Sequence, residues 1–167
     1  TVGWEHTLTP FLTVQSHAGA IVLKRELVGA SSSPIIAPVG DLAFRWKDRT
    51  TSVTVVYSLG VSPSFQFQAQ ALRTHVVSFA LTQQTAFPEL LAVANLNYGR
   101  GDQYGSSSGD ALSYASVGGT GGLVYKFSPE TFLGVNYSYF NTNNTFGSST
   151  FAFDRHVVQL SLTHAFY

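Results

Sequence analysis

The chain contains no Cys, no Met and only six Pro in 167 residues. Without Cys there is no disulfide framework, no thiolate zinc site and no Cys nucleophile. Charge is scarce too, at 11% against roughly one-quarter in ordinary soluble domains. The nine basic and nine acidic side chains cancel to zero. Scattered Lys and Arg leave no basic stripe of the kind that neutralises phosphates, which excludes nucleic acid as a partner. Long apolar runs are also missing. A spanning helix needs about 20 mostly apolar residues, and the longest clean run here is Ala18 to Leu23. The length fits one domain. No signal peptide is visible and the chain starts at Thr1 without Met, so it reads as a mature form or a fragment of something longer.

What the sequence has is alternation. Apolar residues are 44% of the chain and recur at every second position, the period of a strand with two unlike faces. In the segment 131–141, Leu133, Val135, Tyr137 and Tyr139 take one face, and Gly134, Asn136 and Ser138 the other. The same holds for Val53, Val55, Tyr57 and Leu59 against Thr54, Val56 and Ser58, and for Val158, Leu160 and Leu162 against Gln159, Ser161 and Thr163.

Turn chemistry divides the strands. Thr9-Pro10, Lys47-Asp48-Arg49-Thr50, Phe87-Pro88-Glu89 and Ser128-Pro129-Glu130 each separate two strand patterns by a few residues. Measured at Pro10, Asp48, Pro88 and Pro129 they lie 38, 40 and 41 residues apart, which predicts a repeating hairpin unit. The segment His75 to Thr82 matches His156 to Thr163 at five of eight positions, offset by 81. Longer connections rich in Gly, Ser, Asn and Pro fall at Lys24 to Pro38, Gly60 to Thr74, Gly101 to Ala111 and Thr142 to Thr150. The pattern predicts an all-β, up-and-down antiparallel meander of about nine strands: 1–8, 11–23, 36–46, 51–60, 75–85, 90–100, 112–127, 131–141 and 151–167. A meander of this kind needs closure or a second layer.

The polar face decides what the apolar face meets. A soluble barrel needs a charged exterior, whereas small, neutral and hydroxyl-bearing residues prevail here. The residues expected to line a lumen are Glu5, Gln15, His17, Asp41, Arg45 and Lys47 in the first part of the chain. Asn95, Asn97, Lys126, Asn136, Arg155 and Gln159 follow in the second. The apolar face carries almost no charge, as lipid requires where a midplane Lys or Arg costs roughly 2–4 kcal/mol. Phe11, Trp46, Phe87 and Phe127 lie beside the tight turns, and Phe166 and Tyr167 end the chain at the same level, which predicts one aromatic girdle. Tyr57, Phe65, Phe67, Tyr98, Tyr104, Tyr114, Tyr137, Tyr139 and Phe151 gather near the long connections and are expected to form the other. Backbone groups in hydrocarbon must pair internally, so a closed transmembrane β-barrel of about 8–10 strands is the all-strand solution.

The final segment, Val158-Gln159-Leu160-Ser161-Leu162-Thr163-His164-Ala165-Phe166-Tyr167, resembles the aromatic-ended last strand of bacterial outer-membrane β-barrel proteins. It departs from that pattern at His164, in the apolar register, and at the extra Tyr167 after Phe166. Trp46-Lys47-Asp48-Arg49-Thr50 and Asp154-Arg155-His156-Val157-Val158 also look like hairpins of poorly characterised outer-membrane barrels, some linked with exopolysaccharide export. The resemblance implies a Gram-negative outer-membrane location, contact with outer-membrane lipid, and recognition by the barrel-assembly machinery during biogenesis. Single-chain bacterial barrels usually have an even number of strands. Nine therefore points to a missing strand, and the residues 1–167 are expected to be a single barrel domain or the C-terminal portion of a larger one.

Pairs that suggest chemistry are few. Ser161 with His164, Asp154 with His156, and Ser16 with His17 are the candidate nucleophile-base or acid-base pairs, and none is persuasive. Ser161 and His164 have opposite parity and point to opposite faces. The five His are dispersed without ligand spacing, so neither a metal nor a cofactor is expected, and the chain does not read as an enzyme. Gly118-Gly119 and Gly121-Gly122 precede no helix and are read as wall packing rather than a phosphate cradle. His75 and His156 open equivalent strands and are read as interfacial rings.

The leading expectation is a porin-like pore or export conduit for hydrophilic solutes. The alternative is a non-conducting outer-membrane anchor that binds partner proteins through its long extracellular loops, above all Lys24 to Pro38 and Gly60 to Thr74. A soluble calycin-like ligand carrier is the outsider, suggested by length and by Gly3-Trp4.

Overall fold

The structure is a computed structural model that describes residues 1–23, 26–27, 30–31, 34–63, 71–104 and 112–165. The alternating β-branched and aromatic residues form long strands bounded by the Pro- and Asp-containing turns. In chain order these are β1 (Val2–Thr9), β2 (Leu12–Leu23), the two-residue β3 (Glu26–Leu27) and β4 (Ala30–Ser31), β5 (Ile35–Lys47), and β6 (Thr51–Pro63). They continue as β7 (Ala71–Gln84), β8 (Leu90–Tyr104), β9 (Leu112–Lys126), β10 (Thr131–Phe146) and β11 (Ser149–His164). Nine of them form one sheet in the order β1-β2-β5-β6-β7-β8-β9-β10-β11. Every neighbouring pair is antiparallel, and β3 and β4 make a small hairpin of their own.

The tight turns all lie at one end and are tied to the next hairpin by backbone bonds. Lys47 N donates to Phe11 O at 2.8 Å, Gln84 N to Thr50 O at 2.7 Å, Lys126 N to Glu89 O at 2.8 Å and Ala165 N to Glu130 O at 3.0 Å. The strands reach further toward the opposite end than the sequence pattern predicts. The largest departure is at Thr142 to Thr150, expected as a long connection. There β10 and β11 stay paired to Phe146↔Ser149 and only Gly147 and Ser148 turn. Gly147 has φ 57°, the left-handed conformation that a two-residue hairpin loop asks of glycine. The Asn and Thr residues of this segment resemble loop composition, yet they satisfy a full ladder of cross-strand bonds.

The sheet is a single layer. The chain exposes 11362 Å², whereas a soluble monomer of 18.0 kDa exposes about 8,000 Å². Among the described residues the buried hydrophobic side chains are only Val14, Ala37, Ala43 and Ala71, and no polar one is buried. On β11, Val158 is 76% exposed and Leu160 and Leu162 are each 71% exposed. A hydrophobic core in the ordinary sense is not built; what holds the sheet is its backbone ladder.

The layer is curved. Leu72 on β7, Leu112 and Tyr114 on β9, Asn144 on β10 and Phe151 on β11 line one cavity of about 330 Å³. Strands lie roughly 4.8 Å apart, so side chains from β7 and β11 share a cavity only where the sheet curls toward their face. That face is the concave one. The sheet remains open, since β1 and β11 are its two edges and do not pair with each other. Eight successive antiparallel pairings make β1 and β11 run in the same direction.

Candidate functional site

Directly opposed residues of neighbouring strands point to the same face, so the register sorts the side chains. One cross-sheet row joins Gly3, His17, Asp41 and Ser58. The next joins Glu5, Gln15, Ala43 and Val56, and Arg45 is opposite Thr13 and Thr54. On the other half, Asn95, Thr120 and Ser138 form a row, as do Asn97, Gly118, Phe140 and Arg155. Asn136 lies between Gly122 and Gln159, and Lys126 opposes Phe132. All twelve residues expected to line a lumen therefore share one face, together with the cavity-lining Leu72, Tyr114 and Phe151. Lys47, opposite Ser52, belongs to it as well.

Two clusters stand on this concave face. In the first, His17 Nδ1 donates to Asp41 Oδ2 at 2.9 Å, and Gln15 Nε2 approaches His17 Nε2 at 3.5 Å. The His17 ring lies over Gly3, where an added Cβ would overlap its Cδ2. Absence of a side chain at Gly3 is what lets the imidazole lie down and reach Asp41. In the second cluster Asn136 lies over Gly122 and Asn97 over Gly118, and the hydroxyls of Thr120 and Ser138 are 2.9 Å apart. Wall packing at these glycines thus has a specific form, with each carrying the amide of a neighbouring strand. Between the clusters the face is small and hydroxyl-bearing, with Thr54, Ser58, Ser78 and Ala80.

Toward the end opposite the tight turns the same face becomes aromatic. Tyr114 rests on Gly101, and Phe140, Phe151 and Phe153 stand on β10 and β11. Tyr114 and Phe151 were expected in an outward girdle; the register puts them inside the curl instead, because both have the parity of Asn144 and Ser116. Gln103 beside them accepts a bond from Leu112 N at 3.1 Å, while its Nε2, shielded from solvent, has no acceptor among the described residues.

The convex face is apolar. It carries Phe44, Trp46, Val55, Tyr57, Phe79, Leu96, Tyr98, Leu123, Val135, Tyr137 and Leu160. Phe11, Trp46, Phe87 and Phe127 are exposed at the tight-turn end. Phe166 and Tyr167 fall outside the described residues, as do Phe65, Phe67 and the side chain of Tyr104. Toward the other end this face bears partnered polar groups. Tyr57 Oη is hydrogen-bonded with His75 Nδ1 at 2.8 Å and Tyr137 Oη with His156 Nδ1 at 2.7 Å, and Arg73 Nη2 donates to Asp102 Oδ2 at 2.8 Å. His156 Nε2 also lies 3.6 Å from Asp154 Oδ2.

The suspected Ser-His pairs are not brought together. Ser161 is concave and His164 convex, where its Nδ1 is 2.8 Å from Thr131 Oγ1. Ser16 and His17 likewise take opposite faces. Sequence reasoning missed the His17–Asp41 pair and both Tyr-His pairs. Parity put His17 and Asp41 on one face, but only the register of β2 against β5 makes them neighbours. Among the described residues no three His, Asp or Glu side chains are gathered as a metal site requires.

No family model, curated protein or solved structure matches the chain. Its functional reading rests on the two faces.

Proposed function

We propose that the chain forms the wall of a bacterial outer-membrane β-barrel, with the concave face lining a conduit for hydrophilic solutes. The observation that carries the reading is the one-layer sheet, apolar on its convex side and amide- and hydroxyl-rich on its concave side. Water is a poor solvent for so large an apolar face, and lipid is a good one. On β9 the convex residues from Tyr125 to Ala115 contain no charged group. Ten residue steps span roughly 34 Å, or about 26 Å of height at a tilt of about 40°, which matches the apolar band of such barrels.

Edge polarity bears on closure. Because β1 and β11 run the same way, direct pairing would be parallel. An antiparallel seam needs an odd number of further strands between them, and with enough added strands the interior widens from a side-chain-filled core to an aqueous channel. A second reading, the non-conducting anchor, is favoured by one observation: Tyr114, Phe140, Phe151 and Phe153 crowd the concave face at the end of the long connections.

Conductance of the folded protein across a planar bilayer separates the two. The conduit reading expects steady ohmic steps that fall when Asn97→Trp or Ser138→Trp narrows the concave face. A silent bilayer containing demonstrably inserted protein would favour the anchor.

A further inference from the structure

Among the described residues the convex face is neutral over most of its area but carries a cluster on β7 and β8 in which Arg73, His75 and Arg100 stand with the single carboxylate of Asp102. Register places His75 directly opposite Arg100, and Arg73 directly opposite Asp102, so four ionisable groups occupy two adjacent rows. Arg73 engages Asp102 at 2.8 Å and His75 Nδ1 is hydrogen-bonded with Tyr57 Oη at 2.8 Å. Arg100 is exposed, and among the described residues no carboxylate pairs with it. Neighbouring strands supply no further counter-charge on this face: β6 presents Leu59 and Val61 to β7, and β9 presents Ala115 and Ser113 to β8. Directly below the patch the face turns apolar through Val77, Phe79, Leu96 and Tyr98.

A cation standing at the rim of a lipid-facing surface, above an apolar strip, matches a ligand with an anionic head and hydrocarbon chains. We infer that Arg100, with Arg73 and His75 beside it, binds the phosphate of a phosphorylated lipid headgroup whose acyl chains lie along Val77, Phe79 and Leu96. This rests on the membrane-barrel reading. The corresponding place on β10 and β11 differs, because His156 there has Asp154 at 3.6 Å and no Arg on the same face. The lipid site is therefore local to β7 and β8 and not a ring around the sheet. Guanidinium groups suit the task, since their planar donors match phosphate oxygens in pairs.

The test is native mass spectrometry of the full chain folded in detergent. The probes are bisphosphorylated lipid A and the same lipid with its phosphates removed. The expected result is preferential retention of the phosphorylated probe, reduced roughly ten-fold or more by Arg100→Gln, as loss of one charge-assisted contact requires, and unchanged by Arg49→Gln at the opposite end. Circular dichroism of each variant verifies that the strands are intact. Equal retention of both probes, or retention insensitive to Arg100→Gln, overturns the site while leaving the barrel reading standing. A chain that stays folded and dispersed without detergent and takes up neither probe overturns both.

Discussion

Tyr137 Oη lies 2.7 Å from His156 Nδ1 across the β10–β11 ladder, and the same contact, 2.8 Å long, recurs between Tyr57 and His75 on β6 and β7. Each His is diagonal to its Tyr, one row beyond the residue directly opposite. The ring centroids are 6.1 and 6.2 Å apart. A hairpin repeat visible as sequence similarity between two strands is thus repeated as a side-chain contact on the convex face. Both contacts stand where the apolar surface gives way to polar residues, a level suited to rings with one apolar and one hydrogen-bonding edge.

Removing the hydroxyl with Tyr137→Phe deletes the hydrogen bond with His156 Nδ1. Stability is expected to drop by about 1 kcal/mol, the usual net worth of such a bond. Tyr98→Phe, on the same face but with no hydroxyl partner among the described residues, is expected to change little. Urea unfolding midpoints of the detergent-folded protein check the contrast.

Two neighbouring glycines should respond in opposite ways. A Cβ at Gly122 would overlap Asn136 and lie 2.6 Å from Val135 O, whereas nothing lies within 4 Å of one at Gly121. Gly122→Val is expected to cost roughly 1–3 kcal/mol through forced displacement of the ladder. Gly121→Val adds an apolar side chain to the convex face and is expected to be tolerated. Fractions folded after refolding into detergent, read from the strand signal in circular dichroism, measure the difference.

Gly147 tests the tight hairpin that replaces the expected long connection. Its φ of 57° disfavours a branched side chain, so Gly147→Val is expected to cost about 1–2 kcal/mol, and Gly147→Asn much less. Equal effects of the two substitutions would show that the β10–β11 ladder does not close through a left-handed residue there.

The His17–Asp41 pair gives a prediction about the conduit. Gly3→Val displaces the His17 ring, and Asp41→Asn removes the carboxylate that it donates to. If the concave face carries ions, Asp41→Asn, which removes a negative charge, is expected to shift the reversal potential in a salt gradient toward anion preference, whereas Gly3→Val, which leaves the Asp41 carboxylate without its donor, is expected to shift it toward cation preference. An unchanged reversal potential in both would remove this cluster from the ion path.

Strand positions, tight turns and the allocation of residues to faces were legible in the sequence because a period of two is a local property. Glu5, Gln15, Asn97 and Gln159 needed only their parity to be assigned. Partnerships were not legible. His17 finds Asp41, and Tyr137 finds His156, through the register of two strands, which no single strand encodes. Loop composition misled at Thr142 to Thr150, where Asn and Thr look like a connection but pair as strand. Tyr114 and Phe151 were assigned outward because aromatic residues near loops suit an interface, whereas their parity put them on the concave side.

A convex face that meets lipid and a concave face that meets water differ in their contact with lipid-borne quenchers. Because the chain contains no Cys, single Cys substitutions can be labelled cleanly. An environment-sensitive fluorophore at positions 133 to 139 of β10, in vesicles containing spin-labelled lipid, reads the contact of each position. Strong quenching is expected at 133, 135, 137 and 139 and weak quenching at 134, 136 and 138. Uniformly weak quenching at all seven positions, with the strand still folded, would contradict lipid contact at the convex face.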